Sequence, residues 1–206
     1  MAEHVELDTP QGPGRGHIYA GSAPAAATVV LGHGAGGGIG ASDLMLLAAR
    51  LPEHGYRVVL IEQPWKVAGR KLAGRPPTLD AAWVPMLTQL DIVGKLVVGG
   101  RSAGARVACR TAETVGAHGV LCLSFPLHPP GKPESSRAGE LRTPGEHGIP
   151  VRVIQGAKDP FGTPEEVRRV LTDGRWVAQV AGAHSFGRNP TDVLDAALAF
   201  LPQLLA

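Results

Sequence analysis

The stretch KLVVGGRSAG, residues 95–104, decides the reading of this chain. Lys95–Val98 is a short apolar run of strand character, Gly100-Arg101-Ser102-Ala103-Gly104 is G-x-S-x-G, and Arg106–Val115 has helical spacing. A serine flanked by two glycines, between a buried strand and a helix, fits a sharp turn that lifts the side chain out on strained backbone. Ser102 then sits at a helix N-terminus, where the dipole favours an oxyanion. An N-capping serine after a glycine turn would explain the pentapeptide alone. The strand before it and the helix after it favour a nucleophile.

Working outward, strands and helices alternate. His4–Thr9 and Gly16–Ala20 predict an N-terminal hairpin around PQGPG. Ala27–Leu31 reads as a strand, Ser42–Glu53 as a helix and Tyr56–Ile61 as a strand. A helix is expected over Leu79–Leu90 and a strand over Gly119–Leu123. A Pro-rich connection, Pro126–Pro150, leads to a strand over Val151–Gln155 and a helix over Pro164–Leu171. Trp176–Val180 and Pro190–Leu205 close the chain as strand and helix. Runs such as VVL, LVV and VRVI are apolar throughout, as in parallel strands covered on both faces. The expected fold is α/β: a doubly wound, mostly parallel sheet with helices on both faces, in one domain spanning 1–206. The Pro126–Pro150 connection leaves little room for a lid, so the site is expected to be open and shallow.

The loop after Ala27–Leu31, His33-Gly-Ala-Gly-Gly-Gly38, has the composition of an oxyanion loop. Its donors would be the backbone N–H groups of Ala35 and Ala103. The same residues satisfy a rival motif. Gly32-x-Gly34-x-x-Gly37 is G-x-G-x-x-G after a strand, and Glu62 ends the next strand where a ribose-binding acid would sit. A dinucleotide-binding oxidoreductase is therefore a second reading, but it leaves the serine turn unexplained.

A hydrolase of this kind needs an acid and then a histidine later in the chain. Asp159 follows the Val151–Gln155 strand and His184 follows the Trp176–Val180 strand. Both stand at carboxyl ends, the edge where ligands bind in open α/β sheets. Asp159 would set the tautomer of His184, and His184 would take the Ser102 proton. His33, Arg101 and His128 are candidate substrate-binding residues. His33 is also expected to order the oxyanion loop. His4, His17, His54, His118 and His147 read as surface or loop residues. No H-E-x-x-H or C-x-x-C occurs, so neither a metal nor a cofactor is expected.

At these residues the chain resembles the α/β-hydrolase superfamily over nearly its whole length. LGHGAGG (31–37), GGRSAGAR (99–106), LSFPLHPPGKP (123–133) and KDPFG (158–162) resemble the group containing testis-expressed protein 30 and a subunit of a histone-acetylating complex. The chain is also similar to dienelactone hydrolases, which carry Cys where this chain has Ser102. The resemblance implies the fold and leaves the substrate open. Some members of that group serve as scaffolds, so a non-catalytic interaction module is a third reading.

Composition bounds the partners. The formal net charge of +2 gives no nucleic-acid footprint, and no apolar run approaches the ~20 residues of a membrane span. The polar, acidic start MAEHVELDTPQG shows no secretory signal, so the default location is cytoplasmic. Cys109 and Cys122 lie in apolar runs and read as buried free thiols. The expected reaction is cleavage of an ester or thioester in a small-molecule acyl substrate through an acyl-Ser102 intermediate. Between Glu62 and Asp80, Lys66, Arg70, Lys71 and Arg75 form a basic loop without an acid. It serves either as solvated surface or to attract anionic substrates. The oligomeric state is open.

Overall fold

The computed structural model describes residues 2–171 and 173–206. β1 (Glu3–Leu7) and β2 (Gly14–Tyr19) form the hairpin, closed by a turn in which Gly12 N–H bonds Thr9 O. Then follow β3 (Ala27–Gly32), α1 (Ser42–Arg50), β4 (Tyr56–Glu62), a short α2 (Pro64–Val67) and α3 (Pro76–Thr88). β5 (Lys95–Arg101), α4 (Ala103–Thr111), β6 (Gly119–Leu123), α5 (Ala138–Glu146) and β7 (Val151–Gly156) continue the alternation. α6 (Pro164–Val170), β8 (Val177–Val180) and α7 (Thr191–Leu204) complete it.

The eight strands form one sheet in the order β1-β2-β4-β3-β5-β6-β7-β8. Only β1–β2 and β2–β4 pair antiparallel; the other five pairs are parallel. Successive strand residues point to opposite faces. Val29, Leu31, Val58 and Leu60 pack under α1 and α7, whereas Val30, Val59, Val98 and Val153 pack with Trp83, Met86, Val107 and Leu141 on the other side. Both sides are dry, which is why these strands read as unbroken apolar runs. Cys109 and Cys122 are buried and free, with Sγ atoms 3.5 Å apart.

Several details depart from the sequence reading, among them the bounds of α1, which ends at Arg50 and not Glu53, and of α4, which begins at Ala103 and not Arg106 and ends at Thr111 and not Val115. The Pro126–Pro150 connection contains α5, whose Gly139, Pro144 and Gly145 hide it from propensity. Tertiary contacts hold this helix: Leu141 is fully buried, and Glu140 pairs with Arg106 at 2.6 Å and Arg110 at 2.7 Å on α4. α3 begins at Pro76 and not Leu79, using proline at its first position. Trp176 belongs to a 3₁₀ turn before β8. His17 is buried, against the surface role expected of it.

β4 and β5 flank β3 on opposite sides, so the chain changes winding direction between β3 and β5. A crevice opens there at the carboxyl ends, holding the loops after Gly32 and Arg101. Backbone meets backbone at this point. A Cβ on Gly100 would lie 2.3 Å from Gly32 O, and one on Gly104 would lie 2.4 Å from the same oxygen. Gly100 also adopts φ +146°, outside the range of ordinary L residues. By contrast, Cβ atoms on Gly36 and Gly37 would meet nothing within 4 Å. Gly104→Ala should therefore destabilise by about 1–3 kcal/mol or more, because backbone must shift, while Gly36→Ala should stay within about 0.5 kcal/mol. Urea unfolding of the two variants checks this contrast.

Candidate active site

Ser102 occupies the turn between β5 and α4 at φ +53°, ψ −110°. Its own N–H bonds Leu123 O at 3.0 Å, and its carbonyl accepts Arg106 N–H at 3.2 Å. A non-glycine residue in this conformation is strained, and the surrounding backbone bonds hold it there. The strain points Oγ toward the loop after β8.

His184 stands on that loop. Its Nε2 lies 2.9 Å from Ser102 Oγ, and its Nδ1 lies 2.9 and 3.0 Å from the two carboxylate oxygens of Asp159. An ionised carboxylate only accepts, so Nδ1–H donates and Nε2 is left to accept the Ser102 hydroxyl. Asp159 is 1% exposed. Its Oδ1 accepts Phe161 N–H at 2.9 Å and its Oδ2 accepts Gln155 Nε2–H at 3.0 Å. Thus the structure brings Ser102, His184 and Asp159 into one hydrogen-bonded chain.

Three supports were not legible from sequence. Gln155, fully buried at the end of β7, binds Asp159, donates to Gly162 O at 2.8 Å and accepts Phe125 N–H at 2.9 Å. Gly156 lets the two loops touch, since a Cβ there would lie 2.1 Å from Ala183 O. Asp43, in the first turn of α1, pairs with Arg101 Nε at 3.1 Å. Burial raises the Asp43 carboxyl above its ordinary value, and the Arg101 guanidinium opposes that rise.

The candidate binding residues have other partners. Arg101 Nη2 donates to His184 O and Ser185 Oγ, both at 2.8 Å, so it braces the His184 loop against α1. His128 is buried, with Nδ1 2.9 Å from Pro129 O, and its backbone N–H bonds Phe161 O at 3.0 Å. His33 Nδ1–H donates to Gly34 O at 2.9 Å while Nε2 accepts Gln63 N–H at 3.2 Å. With both ring nitrogens committed to backbone, His33 orders its loop and has none left for a ligand. The phenyl ring of Phe161 lies against the His184 imidazole, centroids 4.3 Å apart.

Ala35 is exposed beside Ser102, and Ala103 is the first residue of α4, where an N–H has no partner within the helix. Both line a cavity of about 10 Å³ with Trp65, Leu79 and Trp83. An outer cavity of about 90 Å³ lies behind it, bordered by Arg70, Leu72 and Thr78. A larger groove of about 500 Å³, between Leu141, Pro150 and Trp176, adjoins the start of β7 at the opposite end of the strands. Size alone would choose the groove, but the hydrogen-bonded Ser102, His184 and Asp159 are at the carboxyl edge.

A dinucleotide does not fit this loop. Its pyrophosphate would need the N-terminus of α1, and the buried Asp43 carboxylate already stands there. Glu62 instead faces β2, 3.4 Å from Arg15 and 3.7 Å from His17. Among the described residues no group of three or more His, Cys, Asp or Glu could hold a metal ion, and no helix is long and apolar enough to cross a membrane.

Comparison with known proteins bears on the family and the fold. The sequence profile of a family described as an alpha/beta hydrolase domain matches residues 25–196. The fold is similar to that of a lidless serine hydrolase from Xanthomonas campestris, at 19% identity and TM-score 0.70, covering 98% of this chain and 95% of that one. It is similar to an esterase from Pyrococcus furiosus, at 18% identity and TM-score 0.74, covering 98% and 90%. It is also similar to a thioesterase domain of the curacin biosynthetic pathway, at 14% identity and TM-score 0.69, covering 100% of both. At these identities the likeness is one of fold.

Burial lowers His33 below its ordinary value of 6.5, so the folded protein holds this imidazole neutral. His17 is lowered the same way, first by burial and then by His4. A histidine with depressed folded pKa contributes its full stability above 6.5 and loses it as pH falls through the folded value. The melting temperature should therefore fall between pH 7 and pH 5, and His33→Asn should fall less over that interval despite a lower value at pH 7. Calorimetry across this range checks the sign.

Proposed function

The chain belongs to the alpha/beta hydrolase family, and from that premise we propose that it is a serine hydrolase cleaving esters or thioesters of a small-molecule acyl substrate. The 2.9 Å contact of Ser102 Oγ with His184 Nε2, continued to a buried Asp159, supports the reading best. Within the family, the stretches PLHPPGKP (126–133) and DPFG (159–162) favour a place beside the group containing testis-expressed protein 30.

In the proposed reaction Ser102 Oγ attacks the acyl carbonyl carbon while its proton passes to His184 Nε2. Asp159 fixes the Nδ1–H tautomer and stabilises the imidazolium. The N–H groups of Ala35 and Ala103 receive the carbonyl oxygen as it becomes an oxyanion. Collapse breaks the bond to the alcohol or thiol, which takes the proton from His184. Water, activated by His184, then releases the acid and restores Ser102. Arg101 acts through His184 as a positioning residue.

Ser102→Ala and His184→Ala should each lower kcat/KM for p-nitrophenyl acetate by roughly 10⁴–10⁶, with the double variant little worse. Asp159→Asn should cost roughly 10⁴ through the wrong tautomer. Asp192→Asn and Asp173→Asn should be mild. Arg101→Met should lower kcat by about 10²-fold with KM little changed, since it loosens His184 and not the substrate. Near-wild-type turnover in Ser102→Ala would remove Ser102 as the nucleophile, whereas folded wild type with neither turnover nor fluorophosphonate labelling would favour a non-catalytic role.

The basic loop supports a preference for anionic acyl substrates. Arg70, Lys71 and Arg75 are exposed on the side of the crevice, and Arg70 borders the outer cavity. Attraction of this kind acts on association. It should weaken as the Debye length shrinks from ~10 Å at 0.1 M to ~3 Å at 1 M salt. The ratio of kcat/KM for a carboxylate-bearing ester over a neutral one should fall with salt, and fall less in the Arg70→Ala, Arg75→Ala double variant. An equal salt response of both esters would leave the loop as ordinary surface.

A further inference from the structure

We infer that the site accepts a short acyl group, of acetyl size, and that Leu79 and Trp65 set this limit as a partition between two cavities. The inference rests on the serine-hydrolase reading of the same site. Ala35 and Ala103, which carry the proposed oxyanion donors, both line the inner cavity of about 10 Å³. Ser102 directly precedes Ala103, and on this inference an acyl group on its Oγ, with its oxygen held by those two N–H groups, turns its substituent into that cavity. A space of this size admits about one water-sized group. A methyl fits, and a propyl tail does not.

The walls are rigid. Trp83 is fully buried at the back, and Val107 is 2% exposed on α4. Gly32 at the floor leaves no slack, since a Cβ there would already lie 3.1 Å from the Trp83 ring and 3.2 Å from Gly104 Cα. Trp65 is pinned edge-on to His33, ring centroids 5.3 Å apart, and His33 is itself tied at both nitrogens. The inner cavity therefore cannot widen into the core.

Outward it adjoins a second space. Leu79, Trp65 and Gln63 line both the inner cavity and the outer one of about 90 Å³. Those three side chains are the wall between them. Gln63 is fixed by its Nε2–H bond to Leu79 O at 3.3 Å and its N–H bond to His33. Leu79 and Trp65 are each 8% exposed. Truncating Leu79 joins the two spaces and makes room for a tail several carbons long without touching Ser102, His184 or Asp159.

The test is a chain-length series of p-nitrophenyl acetate, butyrate and hexanoate, with one leaving group throughout. It is run on wild type, Leu79→Ala and Trp65→Phe, with fluorophosphonate labelling of Ser102 measured in each. The wild type should prefer acetate, with kcat/KM falling about tenfold or more to butyrate, because a methylene that cannot be housed costs at least that much. Leu79→Ala should raise the butyrate-to-acetate ratio about tenfold, and Trp65→Phe should raise it in the same direction. The ratio is internal to each variant, so a partial loss of folded protein cancels, and Trp65→Phe decides if Leu79→Ala does not fold. A wild type that labels at Ser102 yet hydrolyses hexanoate as fast as acetate overturns the size limit and leaves the serine mechanism standing. Loss of acetate preference in neither variant overturns the partition. Absence of both labelling and hydrolysis in folded wild type overturns the serine mechanism and this inference with it.

Discussion

Everything at the carboxyl edge depends on the close approach of the β5–α4 turn to the backbone of Gly32. Gly100 and Gly104 would each place a Cβ within 2.4 Å of Gly32 O, so side chains are excluded from the contact on both ends of the turn. That contact sets the height at which Ser102 leaves the sheet. It also brings Gly34 alongside, where a Cβ would rest 3.6 Å from Ser102 Cβ. The nucleophile and the loop proposed to bind the oxyanion are thus positioned by one packing constraint. The strained φ of Ser102 is affordable because the parallel strands on either side are fully buried and over-determine the turn.

From that fixed point a set of contacts assembles the rest. Gln155 holds Asp159 from below, Gly156 admits the carbonyl of Ala183, and Arg101 grips His184 O from the side while leaning on Asp43. Gly156 and Arg101 each join one strand end to a loop from another, and Gln155 ties Asp159 to the Phe125 backbone after β6. Arg101 is notable chemically because it links the residue before the nucleophile to the loop of the base. A cation buried this far needs a partner, and Asp43 at the N-terminus of α1 supplies it. The same carboxylate disfavours a second anion at that helix end, which speaks against phosphate binding by the glycine-rich loop.

Much of the architecture could be read from the chain because its parallel strands are buried on both faces. Runs such as VVL and VRVI carry that burial in their composition. The order of Ser102, Asp159 and His184, each directly after a strand, was also legible, since the carboxyl ends of strands are where side chains can converge. Distance was not legible. Nothing local marks Asp43 as the partner of Arg101, because that pair forms only once the sheet is assembled, and the four-residue spacing of Gln155 and Asp159 after a strand carries no recognised pattern. α5 was hidden for a related reason: its glycines and proline argue against a helix, and its ion pairs to α4 and buried Leu141 override them. His33, Arg101 and His128 illustrate the opposite error. Residue type and position suggested ligand contacts, whereas His33 commits both ring nitrogens to backbone, Arg101 braces the His184 loop, and His128 is buried with Nδ1 against Pro129 O.

The measurement that most directly tests the chemistry assigned to this edge is the capture of the covalent intermediate. The protein is mixed with an activated acetyl ester, quenched in acid within milliseconds to seconds, digested, and its peptides are weighed. A single acetyl group on the peptide carrying Ser102, formed at the rate of the initial burst and absent in His184→Ala, is the predicted result. Steady hydrolysis with no acylated Ser102 at any time, or an acetyl group that accumulates on another side chain at the turnover rate, would contradict it.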